Sequence, residues 1–137
     1  MKSSCPTRIV LADDHLDLLH EIRALLTPKF EVLEAVTDGL ALLNAVRTAN
    51  PDIVIADINM PRMNGIEACR RIIQQGLCGA AILLTMHKEK QLVLEALQAG
   101  IRGYVLKLDA GDELIPAVSS VLSGSRYLSR GVPLSMS

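Results

Sequence analysis

Five short apolar runs recur along the chain, and each ends at a polar residue or a turn. They are rich in Val, Ile, Leu and Ala, which predicts buried strands. The second run partly alternates apolar with polar residues, as a strand at the edge of a sheet does. The five predicted strands cover residues 8–12, 30–36, 53–57, 80–85 and 104–107.

Between these runs, apolar residues return at intervals of three and four, which predicts amphipathic helices. The last of them contains Pro116, which a helix tolerates in or beside its first turn. The predicted helices cover residues 18–26, 40–49, 66–73, 88–99 and 114–122.

Strand and helix therefore alternate five times with short connections, which indicates a parallel sheet with helices on both faces. We expect one α/β domain over residues 8–123. Residues 1–7 are polar and predict a loose leader. Residues 124–137 are rich in Ser, with Gly131 and Pro133, and predict a linker or C-terminal tail.

Composition narrows the class of protein further. Half of the 137 residues are apolar but only 2% are aromatic, so the core is expected to be aliphatic, as in a helix-covered parallel sheet. The formal net charge is −1, and no basic stripe supports nucleic-acid binding by this stretch. Cys5, Cys69 and Cys78 lack the spacing of a zinc site. No segment has the length of a signal peptide's apolar region or of a membrane span, so we expect a cytoplasmic protein without membrane contact.

The polar residues that end the strands change the picture. Asp13 and Asp14 follow the first strand, and Asp57, Thr85 and Lys107 end the third, fourth and fifth. Taken alone, an Asp at the end of a strand more often caps the next helix than serves a function. Because the carboxyl ends of parallel strands face one edge of the sheet, these five side chains are predicted to converge in one crevice.

The chemistry of this set favours phosphoryl transfer. Carboxylates held close together repel each other, and a divalent cation relieves the repulsion. Oxygen ligands without Cys suit Mg²⁺ rather than zinc. Together with the ammonium of Lys107 and the hydroxyl of Thr85, such a site would stabilise the oxygens of a transferring phosphoryl group, with one carboxylate as the nucleophile.

Four stretches carry a family resemblance: the strand-ending Asp13-Asp14, the D-I-N-M-P-R-M-N-G run that begins at Asp57, L-T-M-H around Thr85, and G-Y-V-L-K ending at Lys107. In this order they resemble the receiver domain of bacterial two-component response regulators, and the likeness covers roughly residues 8–122. It implies a flavodoxin-like (βα)5 fold with a five-stranded parallel sheet in the order 2-1-3-4-5. It also implies phosphorylation by a sensor histidine kinase with Mg²⁺ or Mn²⁺, in a protein that is not an enzyme beyond self-phosphorylation and slow autodephosphorylation.

The resemblance also implies roles for individual residues. Asp57 would be the phosphoacceptor, and Thr85 and Lys107 would contact the phosphoryl group. Asp13, Asp14, Asp57 and the backbone carbonyl of Asn59 would hold the metal. Tyr104 falls at the aromatic switch position, where the ring moves inward as Thr85 turns toward the phosphate; the competing interpretation is an ordinary exposed strand tyrosine.

The segments around Thr85 and Lys107 and the tail G-S-R-Y-L-S are most similar to the NarL/FixJ subfamily. Its members usually continue into a LuxR-type helix-turn-helix, so DNA would be bound only through a C-terminal domain outside this chain, with a phosphorylation-dependent homodimer as the active form. The alternatives are a stand-alone receiver and a haloacid dehalogenase-type phosphatase, although the acidic pair precedes the nucleophile here, the reverse of the order in those phosphatases.

Two positions depart from the family pattern. Leu108 stands where many receivers have proline, and bulky Met86 stands where small residues are frequent.

Overall fold

The alternation of strand and helix is confirmed by the computed structural model, which describes residues 6–132. Cys5, Pro133 and the ends of the predicted leader and tail lie outside these residues. The strands are β1 (Arg8–Ala12), β2 (Glu31–Val36), β3 (Ile53–Ala56), β4 (Ala81–Thr85), β5 (Gly103–Leu106) and β6 (Tyr127–Leu128); the helices are α1 (Leu16–Leu26), α2 (Gly39–Ala49), α3 (Gly65–Gln74), α4 (Lys90–Gln98) and α5 (Ala110–Leu122), with a 3₁₀ turn at Lys107–Asp109.

The strands form one parallel sheet in the order β2-β1-β3-β4-β5-β6. The predicted order of the first five is confirmed, but the prediction of a five-stranded sheet is wrong by one strand. The sixth strand, β6, has two residues and lies in the segment for which a linker or tail was predicted. A strand of two residues is too short to show a hydrophobic period. It forms by pairing with the open edge of β5, which the sequence pattern does not reveal. The predicted domain boundaries stay predictions.

Alternate side chains of the strands point to opposite faces of the sheet and build two cores. Ile9 and Leu11 of β1 pack toward α1 and α5. Val10 and Ala12 pack toward α2, α3 and α4. The central strands β3 and β4 are buried on both faces, which explains their uninterrupted apolar sequence.

Helix α5 begins earlier than its sequence predicts. The 3₁₀ turn after β5 leads directly into Ala110, so Pro116 is the seventh residue of the helix and does not lie in its first turn. Proline has no N–H to donate, which leaves the carbonyl of Asp112 without its intrahelical bond. Both residues are exposed, so water can satisfy that carbonyl and the helix continues.

Candidate functional site

The four strand ends meet at one edge of the sheet, as the sequence predicts. The ladder continues one residue beyond the strands: Asp13 N donates to Val36 O at 3.0 Å, and Asp57 N donates to Ala12 O at 2.9 Å. Thr85 is paired in register with Leu106, the residue before Lys107. This pairing brings Asp13, Asp57, Thr85 and Lys107 together, although their roles stay predictions.

Lys107 lies between two carboxylates. Its Nζ is 2.9 Å from Asp13 Oδ2 and 3.0 Å from Asp57 Oδ2, and all three side chains are less than a tenth exposed. Two nearly buried anions therefore share one cation, and Asp14 adds a third, more exposed carboxylate. The site carries an excess of negative charge that its own side chains do not neutralise.

The loop after β3 fixes the carboxylate of Asp57. Ile58 N donates to Asp57 Oδ1 at 2.7 Å. Gly65 N donates to Ile58 O at 2.8 Å, and a Cβ at Gly65 would collide with the carbonyl of Asp57, so only glycine allows this approach. Asn64 caps α3 by accepting from Glu67 N, which anchors the other end of the loop. The loop thus turns back on itself at the position that aims Asp57 into the site.

Burial and the neighbouring charges shift the pKa values of Asp57 and Lys107. Burial raises the pKa of Asp57 above its usual 3.8, and the neighbouring carboxylate of Asp13 raises it further, against the opposing effect of Lys107. Burial works against the ammonium of Lys107, but its hydrogen bonds to Asp13 and Asp57 outweigh this and raise its pKa. Lysine is therefore firmly charged, whereas the ionised form of Asp57 is disfavoured in this site.

The side chains that could hold a cation form one cluster among the described residues. Asp13, Asp14, His15 and Asp57 each offer a ligand atom, and these atoms lie within 4.8 Å of one another. His15 Nδ1 is 3.4 Å from Asp14 Oδ1 and 3.5 Å from Asp13 Oδ1. Three carboxylates with spare negative charge are the ligand set that hard divalent cations prefer, so the residues present fit Mg²⁺.

A cavity of about 320 Å³ opens over Asp57. We call it the acidic crevice; it is lined by His15, Asp57, Asn59, Met86, His87 and Lys107. Met86 lies at its mouth and is 72% exposed. The peptide bond between Lys107 and Leu108 is trans, although many receivers have proline after this lysine.

Thr85 and Tyr104 are linked through one backbone segment. Thr85 Oγ1 accepts a hydrogen bond from His87 N at 3.1 Å, and Tyr104 Oη donates to His87 O at 2.7 Å. Tyr104 is only 1% exposed, so the interpretation of an exposed strand tyrosine is wrong and the ring points inward. Burial, with the charges of Glu89 and Asp57, raises the pKa of its hydroxyl to about 12.

His87 connects more of the site than the sequence suggested. Its backbone joins Thr85 to Tyr104, and its Nε2 lies 2.6 Å from Asn59 Nδ2, in the loop that follows Asp57. The sequence gives no sign of these contacts, because they depend on how two loops meet.

None of the helices in residues 6–132 is long and apolar enough to cross a membrane.

Comparison with known proteins identifies the class of domain. The family model described as the response regulator receiver domain matches residues 9–119. The chain is 37% identical to transcriptional regulatory protein DegU of Brevibacillus brevis, over 88% of this chain and 52% of DegU. It is 33% identical to response regulator UvrY of Escherichia coli, over 93% of this chain and 60% of UvrY. It therefore spans little more than half the length of these relatives.

Solved structures agree with the sequence comparison. A two-component response regulator of the LuxR family from Aurantimonas superposes with a TM-score of 0.86 at 34% identity, over 93% of this chain and 92% of that chain. The family match covers most of the chain, and the fold and the charged strand ends described above agree with it. The chain belongs to the response regulator receiver domain family, in the company of NarL- and LuxR-type regulators.

Proposed function

We propose that Asp57 accepts a phosphoryl group from a phosphohistidine of a sensor histidine kinase. In this transfer the phosphorus–nitrogen bond breaks as a phosphorus–oxygen bond forms to the Asp57 carboxylate, and the imidazole leaves with the electron pair. The observation that carries the proposal is the position of Lys107, whose ammonium lies 3.0 Å from Asp57 at the cavity that would receive the phosphoryl group.

The carboxylate must be ionised to attack, yet burial disfavours its ionised form. Lys107 keeps a positive charge beside it, and Ile58 N donates to its second oxygen. Asp13, Asp14, Asp57 and the carbonyl of Asn59 would hold Mg²⁺ or Mn²⁺. When bound, the metal would supply the charge that neutralises these carboxylates and the phosphoryl oxygens. The family consists of phosphoacceptors rather than enzymes; slow autodephosphorylation belongs to the proposal.

The test is intact-mass measurement after incubation with acetyl phosphate and Mg²⁺. Wild type should gain one phosphoryl group, while Asp57→Asn and wild type in chelator should gain none. Asp14→Ala should need more Mg²⁺ for the same extent of modification, because the remaining carboxylates supply too few anionic ligands. The matched control is Asp52→Asn, which removes an exposed carboxylate at the opposite edge of the sheet. Modification that persists in Asp57→Asn contradicts the proposal.

The consequence of phosphorylation would be a change on the α4, β5 and α5 surface that promotes a homodimer. Thr85 and Tyr104 meet at His87, which offers a route from Asp57 to this surface. Thr85→Ala should still accept phosphate but lose any phosphate-dependent self-association in analytical ultracentrifugation. A Thr85→Ala protein that dimerises like wild type would exclude this route.

The output would be transcription, through a DNA-binding domain C-terminal to this one, and the protein would act in the cytoplasm. The relatives DegU and UvrY are a transcriptional regulatory protein and a response regulator, and each extends well beyond the matched region. That extension, with the family match, supports this part of the proposal.

A further inference from the structure

The chain does not leave the domain after α5. Gly124 adopts a φ of +94°, which turns the chain back, and β6 then pairs with β5. Tyr127 N donates to Arg102 O at 2.9 Å, and Ser129 N donates to Tyr104 O at 2.9 Å. We call residues 127–132 the strap, because they lie along the outer edge of the strand that carries Tyr104.

Ser129 is the centre of this attachment. Its side chain is only 3% exposed, and its Oγ accepts from Leu106 N at 2.9 Å while donating to Glu113 Oε1 at 2.6 Å. Glu113 is itself 4% exposed, and its other oxygen is 3.4 Å from Arg130 Nε. A hydroxyl that both accepts and donates in a buried site is fixed in orientation, so it holds the backbone of Leu106 in one place.

The side chain of Leu106 is held by the same segment. A Cβ at Gly131 would lie 2.9 Å from Leu106 Cδ1, which means that the strap backbone passes directly over this leucine. Leu106 is the last residue of β5 and precedes Lys107, whose Nζ contacts Asp13 and Asp57. The strap therefore contacts both the backbone and the side chain of Leu106, and so fixes the residue that directly precedes Lys107.

We propose that Ser129, oriented by Glu113, is a positioning residue for Lys107, and that docking of the strap and phosphorylation of Asp57 favour each other. This inference rests on the proposed function. In the conformation described, the docked strap coexists with Lys107 in the crevice and Tyr104 inward, which is the arrangement that the switch needs. Because coupling between two sites is reciprocal, whatever stabilises Lys107 in this place also stabilises the docked strap.

The first test is Ser129→Ala, which removes one hydroxyl and leaves every group of the crevice intact. Phosphorylation of Asp57 by acetyl phosphate at saturating Mg²⁺ should become about tenfold slower, since small displacements of a catalytic group have large effects on rate. Saturating Mg²⁺ keeps the metal site filled in both proteins, so the comparison of rates does not depend on the affinity for the metal. Ser129→Thr, which keeps the hydroxyl, should recover most of the rate.

A merely structural role would lower stability without this pattern. The control is therefore Ile72→Val, which shortens a fully buried side chain on α3, away from the strap, and should leave the phosphorylation rate at the wild-type value. If Ser129→Ala is phosphorylated as fast as Ile72→Val, Ser129 does not position Lys107 and the proposal is overturned.

The second test uses wild type alone and so does not depend on how the variant folds. Hydrogen exchange of peptides covering residues 124–132 is measured before and after phosphorylation, with the intact mass of the same sample recording the phosphoryl group. Slower exchange of the strap in the phosphorylated protein supports the coupling. Phosphorylated protein with unchanged or faster exchange overturns this inference alone, whereas wild type that takes up no phosphoryl group overturns the proposed function as well.

Discussion

Within residues 6–132, carboxylates are buried in two places, and their charges are balanced in opposite ways. Asp57 of the acidic crevice and the adjoining Asp13 are 5% and 4% exposed, and both contact the ammonium of Lys107. Under the strap, Glu113 is 4% exposed, but it accepts a hydrogen bond from the Ser129 hydroxyl and forms an ion pair with Arg130. The degree of burial is the same, and only the balance of charge and donors differs.

That difference separates a site that can bind a ligand from a site that only stabilises the fold. A buried anion that its own chain satisfies is structural, since nothing further is gained by adding a ligand. Anions that outnumber their cations, beside an open cavity, are stabilised by whatever positive charge arrives, and this is the setting for a metal ion and a phosphoryl group. Burial alone would not have distinguished Asp57 from Glu113.

The largest effect should come from removing the shared cation. Lys107→Met leaves two buried carboxylates without a partner, so the free energy of unfolding should fall by about 3–5 kcal/mol in urea denaturation without divalent ions. Millimolar Mg²⁺ should restore more stability to this variant than it adds to wild type, because it replaces the missing charge. Lys29→Met, at an exposed position, is the control and should change little. A loss below about 1 kcal/mol would mean that the crevice is not short of positive charge.

Glu113→Ala tests the other region. It removes the acceptor of a buried hydroxyl and leaves a cavity, so the free energy of unfolding should fall by about 2–3 kcal/mol. In contrast to Lys107→Met, Mg²⁺ should not restore stability. The control Glu21→Ala changes an exposed position of α1. Recovery of the Glu113→Ala protein by Mg²⁺ would remove the distinction between the two regions.

Asp57→Asn should have the opposite sign and a smaller size. Burial raises the pKa of this carboxyl above 3.8 in the folded protein, so on raising the pH the unfolded chain releases the proton first. Wild type then loses stability relative to Asp57→Asn as pH rises above 3.8 toward the folded pKa. At neutral pH the variant should be more stable by about 1 kcal/mol, a typical single-site effect. Urea denaturation between pH 3 and pH 7 (roughly, the range of carboxyl titration) checks this, and a gap that narrows as pH rises contradicts it.

The smallest effect on stability is expected for Met86→Ala, at the open mouth of the crevice. Because Met86 is 72% exposed, the free energy of unfolding should change by no more than about 0.5 kcal/mol. Met86 and Asp57 line the same cavity. We expect the phosphorylated variant to lose its phosphoryl group faster, because a long side chain at this mouth would exclude water from Asp57. Intact mass followed over time measures this lifetime, with Leu94→Ala as an exposed apolar control on α4. An unchanged lifetime would mean that Met86 only packs at the loop.

Much of the crevice could be predicted because the pattern that marks each of its residues lies in the residues next to it in the sequence. Each of the predicted site residues stands at the end of an apolar run, and the parallel topology places the ends of such runs together whatever the details of packing. Asp13, Asp57, Thr85 and Lys107 could therefore be grouped before any distance was known. The contacts of their side chains were not predictable, because they depend on loop geometry and rotamers. Examples are the contacts of Lys107 with both Asp13 and Asp57, and the hydrogen bonds by which the backbone of His87 joins Thr85 to Tyr104.

The sequence by itself determined the five strand–helix units and the acidic edge, because hydrophobic period and the residues that end each run are properties of neighbouring positions. The order of the strands was implied by the family resemblance and not by that period. Only the tertiary structure decided the strap, the sixth strand and the inward Tyr104. Ser129 and Glu113 lie 16 residues apart and carry no common pattern, and a two-residue strand has no period to detect. Such contacts form because β5 has an open edge and α5 ends where the chain can return to that edge. Both conditions depend on the packing of the whole domain.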